Sequence, residues 1–404
     1  MARVPRALLL ALSLAAPASV ARAGDDDGRL GAVLAAALPA DGASDLVAIE
    51  QPNVPDAPHV RAATRVRATP ATIKDVLLDP AHYRALIPSL IRSDLEPPQG
   101  APGGPPIVDW ELEVPLFNLS GRMALRNRPD GVTIDLFEGD FAPGRLVFTV
   151  APGPGGAILT VDAVLDVKRS SWLLRHIIKR SPAGEPAALA AATYVALRAV
   201  ALRAAHPTDR YARRSGAPLS PPPSWLPDTR LLAAELLAPL RARGVVALVT
   251  RTASDRLGGV AAAVTLGAPA DRVGARLRDP ALWRAFPGWK TVRVQPGTYG
   301  LGAAVEDDLP LVDCDDAWVA QPGAEARWIA AAGATRGARL GWSVAPGPGG
   351  GTTIAALTLY PRLELTGSIG RKFIAAEPLL EEGLALALAF ADVAGVKAAF
   401  VTAP

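Results

Sequence analysis

LVFTVAPGPGGAILTVDAVLDV, residues 146–167, is the stretch whose reading decides the fold. Residues 146–150 read as a strand and residues 151–156 as a Pro/Gly turn. Residues 157–167 put Leu159, Val161, Ala163, Leu165 and Val167 on one face, with Thr160, Asp162 and Asp166 on the other. That period of two belongs to a strand with one dry side. Residues 185–205 follow as a long apolar helix, the cover such a sheet face needs. The same order returns later. The heptapeptide VAPGPGG at 150–156 recurs letter for letter at 344–350, and Glu185-Pro186 and Glu377-Pro378 open two long helices. The repetition predicts two units of one design.

Composition sets the class. The chain has 404 residues, half of them apolar, enough for two or three domains with buried cores. Its formal net charge is +3, but Arg3, Arg6 and Arg22 fall in residues 1–23. Without that segment 39 basic residues face 39 acidic ones, and no basic run or basic-aromatic stripe is present, so a nucleic-acid partner is excluded. Residues 1–23 read as a signal peptide. Arg3 and Arg6 precede the apolar residues 7–16, too short to span a bilayer, and Ala21-Arg22-Ala23 fits a small-x-small cleavage site before Gly24. The expected location is a bacterial periplasm or beyond. Cys314 is the only cysteine, so no intramolecular disulfide forms, and no His after His206 is there to activate it.

Taken in order, residues 30–38 form a short apolar helix and 46–50 and 60–68 two strands. Pro70 starts a helix with Ile73, Val76 and Leu77 inward, and Asp79-Pro80 ends it. Residues 107–114, 119–126, 132–138, 145–150 and 157–167 form a five-stranded meander. Residues 207–228, with Pro221, Pro222 and Pro223, read as a semi-rigid linker. The pattern then restarts, with a helix at 231–240, strands at 245–250 and 260–266, and Asp279-Pro280-Ala281 echoing Asp79-Pro80-Ala81.

The segment 68–88, ATPATIKDVLLDPAHYRALIP, resembles the opening of the START/polyketide-cyclase (SRPBCC, Bet v 1-like) superfamily, and WELEVPLFNLSGR at 110–122 resembles its strand, Pro, turn, Arg segment. The second unit fits more loosely, with Ala317 where the Arg falls. The resemblance implies an α+β fold of tandem helix-grip domains, each a curled antiparallel β-sheet wrapped around a long C-terminal helix, with short helices after the second strand. It implies START-like domains at 24–206 and 229–404, and a cavity for an apolar ligand in at least one.

The alternation points the same way. It places Trp110, Leu112, Met123, Leu125, Ile134, Leu136, Phe148, Val161 and Leu165 on the inner face of the first sheet. Trp318, Trp328, Leu340, Trp342, Leu357 and Leu359 take the inner face of the second, and five of the eight Trp lie in that unit. Of these Trp110, Leu112, Met123, Leu125, Phe148, Leu165, Trp318, Trp328, Trp342 and Leu357, with Tyr194 on the first long helix, are the candidate ligand contacts. Asp135 and Arg122 fall on the outer phase.

No metal constellation, nucleophile elbow, P-loop or dinucleotide fingerprint is present, so no catalytic residue, metal or cofactor is expected. Glu306, Asp307, Asp308, Asp313, Asp315 and Asp316 make the densest acidic cluster and read as a solvated hairpin. Arg198, Arg203, Glu381, Glu382, Asp392 and Lys397 keep the long helices from reading as membrane spans. Trp172, flanked by Lys168, Arg169, Arg175, Lys179 and Arg180, is the best candidate for a transient membrane contact. The expected function is an exported, non-enzymatic carrier of a lipid-like or aromatic small molecule. A cyclase or dehydratase on a polyketide-like substrate and a protein-docking module with collapsed cavities stand as alternatives; a buried ionisable residue inside either cavity favours the enzyme.

Overall fold

The computed structural model describes residues 24–50, 58–96, 104–114, 117–170, 175, 183–207, 229–285, 289–297, 300–309, 312–321, 326–333, 335–348, 351–363 and 368–401. Helix α1 (Gly24–Ala37) leads into strands β1 (Ser44–Glu50) and β2 (His59–Val66). Two short helices follow, α2 (Pro70–Leu77) and α3 (Tyr83–Leu86). Six strands come next: β3 (Leu90–Leu95), β4 (Ile107–Val114), β5 (Phe117–Arg128), β6 (Gly131–Gly139), β7 (Phe141–Gly153) and β8 (Gly156–Asp166). The long helix α4 (Gly184–Ala205) closes this half.

The second half opens with the short helices α5 (Arg230–Ala233) and α6 (Ala238–Arg243) and strands β9 (Gly244–Arg251) and β10 (Leu257–Leu266). Helix α7 (Ala270–Leu277) and a 3-10 turn (Pro280–Ala285) lead into β11 (Trp289–Gly297), β12 (Gly300–Leu309), β13 (Val312–Ala320), β14 (Ala326–Gly333), β15 (Arg339–Pro346) and β16 (Thr353–Tyr360). Helices α8 (Ser368–Ala376) and α9 (Leu380–Val401) end the chain's described part.

The sixteen strands among the described residues join one antiparallel sheet, in the order β11-β12-β13-β14-β15-β16-β10-β9-β1-β2-β8-β7-β6-β5-β4-β3. The order is symmetric about the β1–β9 pair, where Val47 lies opposite Ala247 and Ile49 opposite Val245. An antiparallel sheet with a long helix following its last strand is the layout of the helix-grip fold.

Three layers result. Helices α4 and α9 lie on one face of the sheet and against each other. Helices α1, α5 and α6 cover the centre of the other face, where Leu30, Leu34, Leu232, Leu237 and Leu240 meet Leu46, Ala48, Ala63, Val246, Leu248 and Ala261. This double cover explains β1, β9 and β10, which are buried along both faces and read as continuous apolar runs instead of alternating ones. Strand β8, covered on one face, keeps strict alternation.

Local chemistry sets the ends. The Thr69 hydroxyl accepts from the Thr72 N–H at 3.2 Å and caps α2, with Pro70 in the first turn. Residues 231–240 depart from the single helix expected there. Ala234 is extended (ψ 143°) and Pro239 starts a new helix, so the segment breaks into α5, a 3-10 turn and α6. Strand β3 was not expected. Only Leu90 and Ser93 of its six side chains are buried, too few to leave an alternation.

Candidate functional site

In the first half, the face of the sheet under α4 carries Trp110, Met123, Leu125, Phe148 and Leu165, all buried, with Leu112 half-buried beside them. The alternation of β4, β5, β7 and β8 aims them there. The Trp110 indole lies parallel to the Phe141 ring, 6.3 Å between centroids and 6° between planes. It lies across Gly121, its cross-strand partner, where a Cβ would stand 3.1 Å from the indole and 2.4 Å from the Glu138 carbonyl. Glycine is therefore required at 121 for the indole to lie flat on the sheet. On the opposite face Arg122 pairs with Glu96 and Glu138, and Asp135 with Arg126 and Arg145, as the outer phase requires. The Arg122 hydrogen bonds hold the Glu96 carboxyl below its ordinary range.

In the second half, Trp318, Trp328, Trp342 and Leu357 are buried, with Trp342 opposite Leu357 and Trp328 opposite Leu340 in the ladder. Their centre is a residue sequence reasoning missed. Trp283, fully buried in the 3-10 turn, meets Trp328 edge-on at 4.6 Å and Trp318 edge-on at 5.8 Å. It occupies the place Tyr83 holds in the first half, five residues into the matching DPA segment, and that correspondence was the available signal. Each buried indole removes ~150–250 Å² from water, on the order of 4–6 kcal/mol gross at ~25 cal/mol per Å².

Tyr194 lies among different partners. Its hydroxyl donates to Asp45 Oδ2 at 2.7 Å, within a buried ionic network joining β1, β9, α4 and α9. Arg251 donates to Asp45 Oδ1 at 3.0 Å and to Asp255 Oδ1 at 2.8 Å. Arg198 Nη2 donates to both Asp255 oxygens at 2.8 Å, and its Nε lies 3.7 Å from Asp45 and 3.8 Å from Glu382. Arg256 pairs with Glu381 beside it at 3.1 Å. Burial pushes the Tyr194 hydroxyl well above its ordinary pKa, and Asp45 and Glu382 add to the shift. For Arg251 burial acts downward, and Asp45, Tyr194 and Asp255 outweigh it and hold the guanidinium charged. The inner side of the sheet is thus apolar toward its two ends and ionic at its centre. The inner-face residues read from the alternation are all apolar and do not include this network, because Asp45 and Arg251 sit in different halves and meet only through the β1–β9 pairing. Arg198, Glu381, Glu382 and Asp392, among the charges that keep the long helices from reading as membrane spans, are buried.

A second polar group sits on the outer face beside α6. Arg61 pairs with Glu50 and, through Nε at 2.8 Å, with Asp162; His59 is bonded to Asp162 and takes a hydrogen bond from Arg61 Nη2 on Nδ1 at 3.0 Å. That donor places the ring proton on Nε2, facing Asp162. In the acidic cluster the backbone sets Glu306 opposite Asp315 and Asp308 opposite Asp313; their side chains, and that of Cys314, lie outside the described residues. Asp316 is buried and accepts from the Thr335 N–H at 2.8 Å and hydroxyl at 2.5 Å. Trp172, proposed from sequence for membrane contact, lies outside the described residues, as do the signal segment 1–23 and most of the linker.

No family model matches the chain, and no curated protein matches it. Solved structures similar to it include a START superfamily protein from Mycobacterium smegmatis, 19% identical over 27% of this chain and 76% of that one, at a TM-score of 0.24. The STAR-related lipid transfer protein from Xanthomonas axonopodis is 18% identical over 41% of this chain and 94% of that one, at a TM-score of 0.27. The di-domain ARO/CYC StfQ from the steffimycin biosynthetic pathway is 10% identical over 82% of this chain and 97% of that one, at a TM-score of 0.26. Likenesses at these TM-scores carry no argument about function, and the fold is read from strand order and helix placement.

Proposed function

We propose that this chain is an exported, non-enzymatic carrier of a lipid-like or aromatic small molecule, built from two helix-grip domains at 24–206 and 229–404 that a Pro-rich linker at 207–228 connects. The observation that carries this reading is the pair of aromatic inner faces, Trp110 with Phe141 in one half and Trp283, Trp318 and Trp328 in the other. Broad, dry aromatic walls suit a ring-bearing or long-chain ligand and supply little to acid-base chemistry. The ionisable groups at the centre of the same side, Asp45, Arg198, Arg251 and Glu382, are held in pairs with one another or with Asp255, which weighs against their use as a general acid or base. Export rests on the Arg3/Arg6 region, the apolar residues 7–16 and the Ala21-Arg22-Ala23 site.

The test is native mass spectrometry of the protein purified from the periplasm of cells that make it, followed by organic extraction. A stoichiometric apolar compound leaving a polypeptide that starts at Gly24 is the expected result. An empty protein that also fails to bind any apolar probe overturns the carrier reading. A full-length chain found in the cytoplasm overturns export.

A further inference from the structure

Two donors on these aromatic faces have nothing to donate to. Trp110 is 6% exposed and Trp328 is 3% exposed, and the indole N–H of neither reaches an acceptor among the described residues. A buried Trp N–H ordinarily finds a partner, since it gives up water to enter the core. Trp110 is pinned by the Phe141 ring and by its position flat across Gly121, and Trp328 by the Trp283 edge and by Leu340 opposite it. Neither indole turns to seek an acceptor without breaking those contacts. Both project on the inner phase of their strands; across the ladder Trp328 faces Leu340, and Trp110 faces Ser93, whose hydroxyl is turned to the Pro80 carbonyl and takes no hydrogen bond from the indole.

We infer that the ligand of this protein is not a plain hydrocarbon but an apolar molecule carrying a hydrogen-bond acceptor, a carbonyl or ether oxygen, which the buried indole N–H of Trp110 or Trp328 receives. This rests on the carrier reading above and narrows it. An acceptor without a charge fits best, because the side chains set against these indoles, Phe141, Trp283 and Leu340, are uncharged and an ionised head group would enter beside them uncompensated. An oxygen seated on an indole edge also fixes which end of the ligand goes in first, so these two residues orient the cargo as well as hold it.

The test compares two probes of one shape, 2-acetylnaphthalene and 2-isopropenylnaphthalene, which differ in presenting C=O or C=CH2. Each is titrated into the full-length mature protein, followed by tryptophan fluorescence and by the indole N–H resonances of the 15N-labelled chain, with Trp110→Phe and Trp328→Phe used for assignment. A face with no free donor prefers the hydrocarbon, since the ketone must shed its water. The expected result is the opposite order. The ketone binds about tenfold tighter, which corresponds to ~1.4 kcal/mol, and moves the Trp110 or Trp328 resonance downfield, while the hydrocarbon moves neither in that direction. Tighter binding of the hydrocarbon, or ketone binding that leaves both resonances in place, overturns the inference and leaves the carrier reading standing. Binding of neither probe overturns the carrier reading, and the inference with it.

Discussion

Tyr194 of α4 donates its hydroxyl to Asp45 of β1, and through Asp45 it reaches Arg251 of the other half of the chain. One carboxylate thus ties a helix and a strand of the first half to a strand of the second. The two substitutions that test this differ in what they leave behind. Tyr194→Phe removes one donor from a carboxylate that keeps Arg251, and should cost about 1–3 kcal/mol. Asp45→Ala leaves two buried guanidinium groups short of a partner and should cost about 3–5 kcal/mol. Urea denaturation of the three proteins reads the difference, and equal losses would argue that the hydroxyl, not the charge pairing, holds the junction.

Alkaline pH should act on the same residue. Burial raises the pKa of Tyr194, and of Tyr83, whose hydroxyl donates to the Leu77 carbonyl, above that of an exposed tyrosine, near 10. A group raised in the folded state contributes stability that is whole below its unfolded pKa and is lost as pH climbs toward its folded one. Stability should therefore begin to fall above about pH 10. Tyrosinate absorbance followed against pH should lack at least these two groups until the protein unfolds; full ionisation of all five tyrosines in the native state would refute it.

The two long helices touch where Gly383 faces α4. A Cβ there would stand 3.2 Å from the Ala191 carbonyl oxygen and 3.3 Å from Val195 Cγ2. Gly383→Ala should be close to neutral, the helix gaining ~1 kcal/mol of propensity against the crowding. Gly383→Val should lose about 1–3 kcal/mol by forcing the helices apart. Thermal melts of both variants check the order.

Trp283→Ala should cost about 3–5 kcal/mol, as large core truncations do, and should flatten the near-ultraviolet circular dichroism that the edge-on contacts with Trp318 and Trp328 generate. If the second half holds a ligand of its own, this variant should lose half the bound stoichiometry while Trp110 remains titratable.

Because the sheet runs unbroken through β1 and β9, and α4 packs on α9, the halves should unfold together. Calorimetry should give one endotherm whose calorimetric and van't Hoff enthalpies agree. Two resolved transitions would show that the β1–β9 pairing is weak.

Much of this architecture is legible in the chain. The alternation of residues 157–167 reproduces β8, and Glu185-Pro186 marks the start of α4 to within a residue. The aromatic faces follow from the same period of two. What escaped is what depends on pairing between distant strands. Nothing local announces that residue 45 will meet residue 251. A partial signal did exist. The unbroken apolar runs at 46–49 and 245–249 are those of strands covered on both faces, and a strand at the edge of a separate unit has no reason for them. Trp283 escaped because it lies on a turn, where periodicity has no say.

The pairing of β1 with β9 has a further consequence, for how the protein stays apart from its own copies. Each half, taken alone, would expose one long, flat, apolar strand, β1 or β9, with a full row of unpaired backbone groups, the template on which chains stack into fibres. In the intact chain these two hazardous borders silence each other, and the sheet's outer limits fall to β3 and β11. Strand β3 is short and carries Arg92 and Asp94, with Arg92 held to Asp109 and Glu111 of its neighbour. Charged side chains on a short border strand discourage the addition of another.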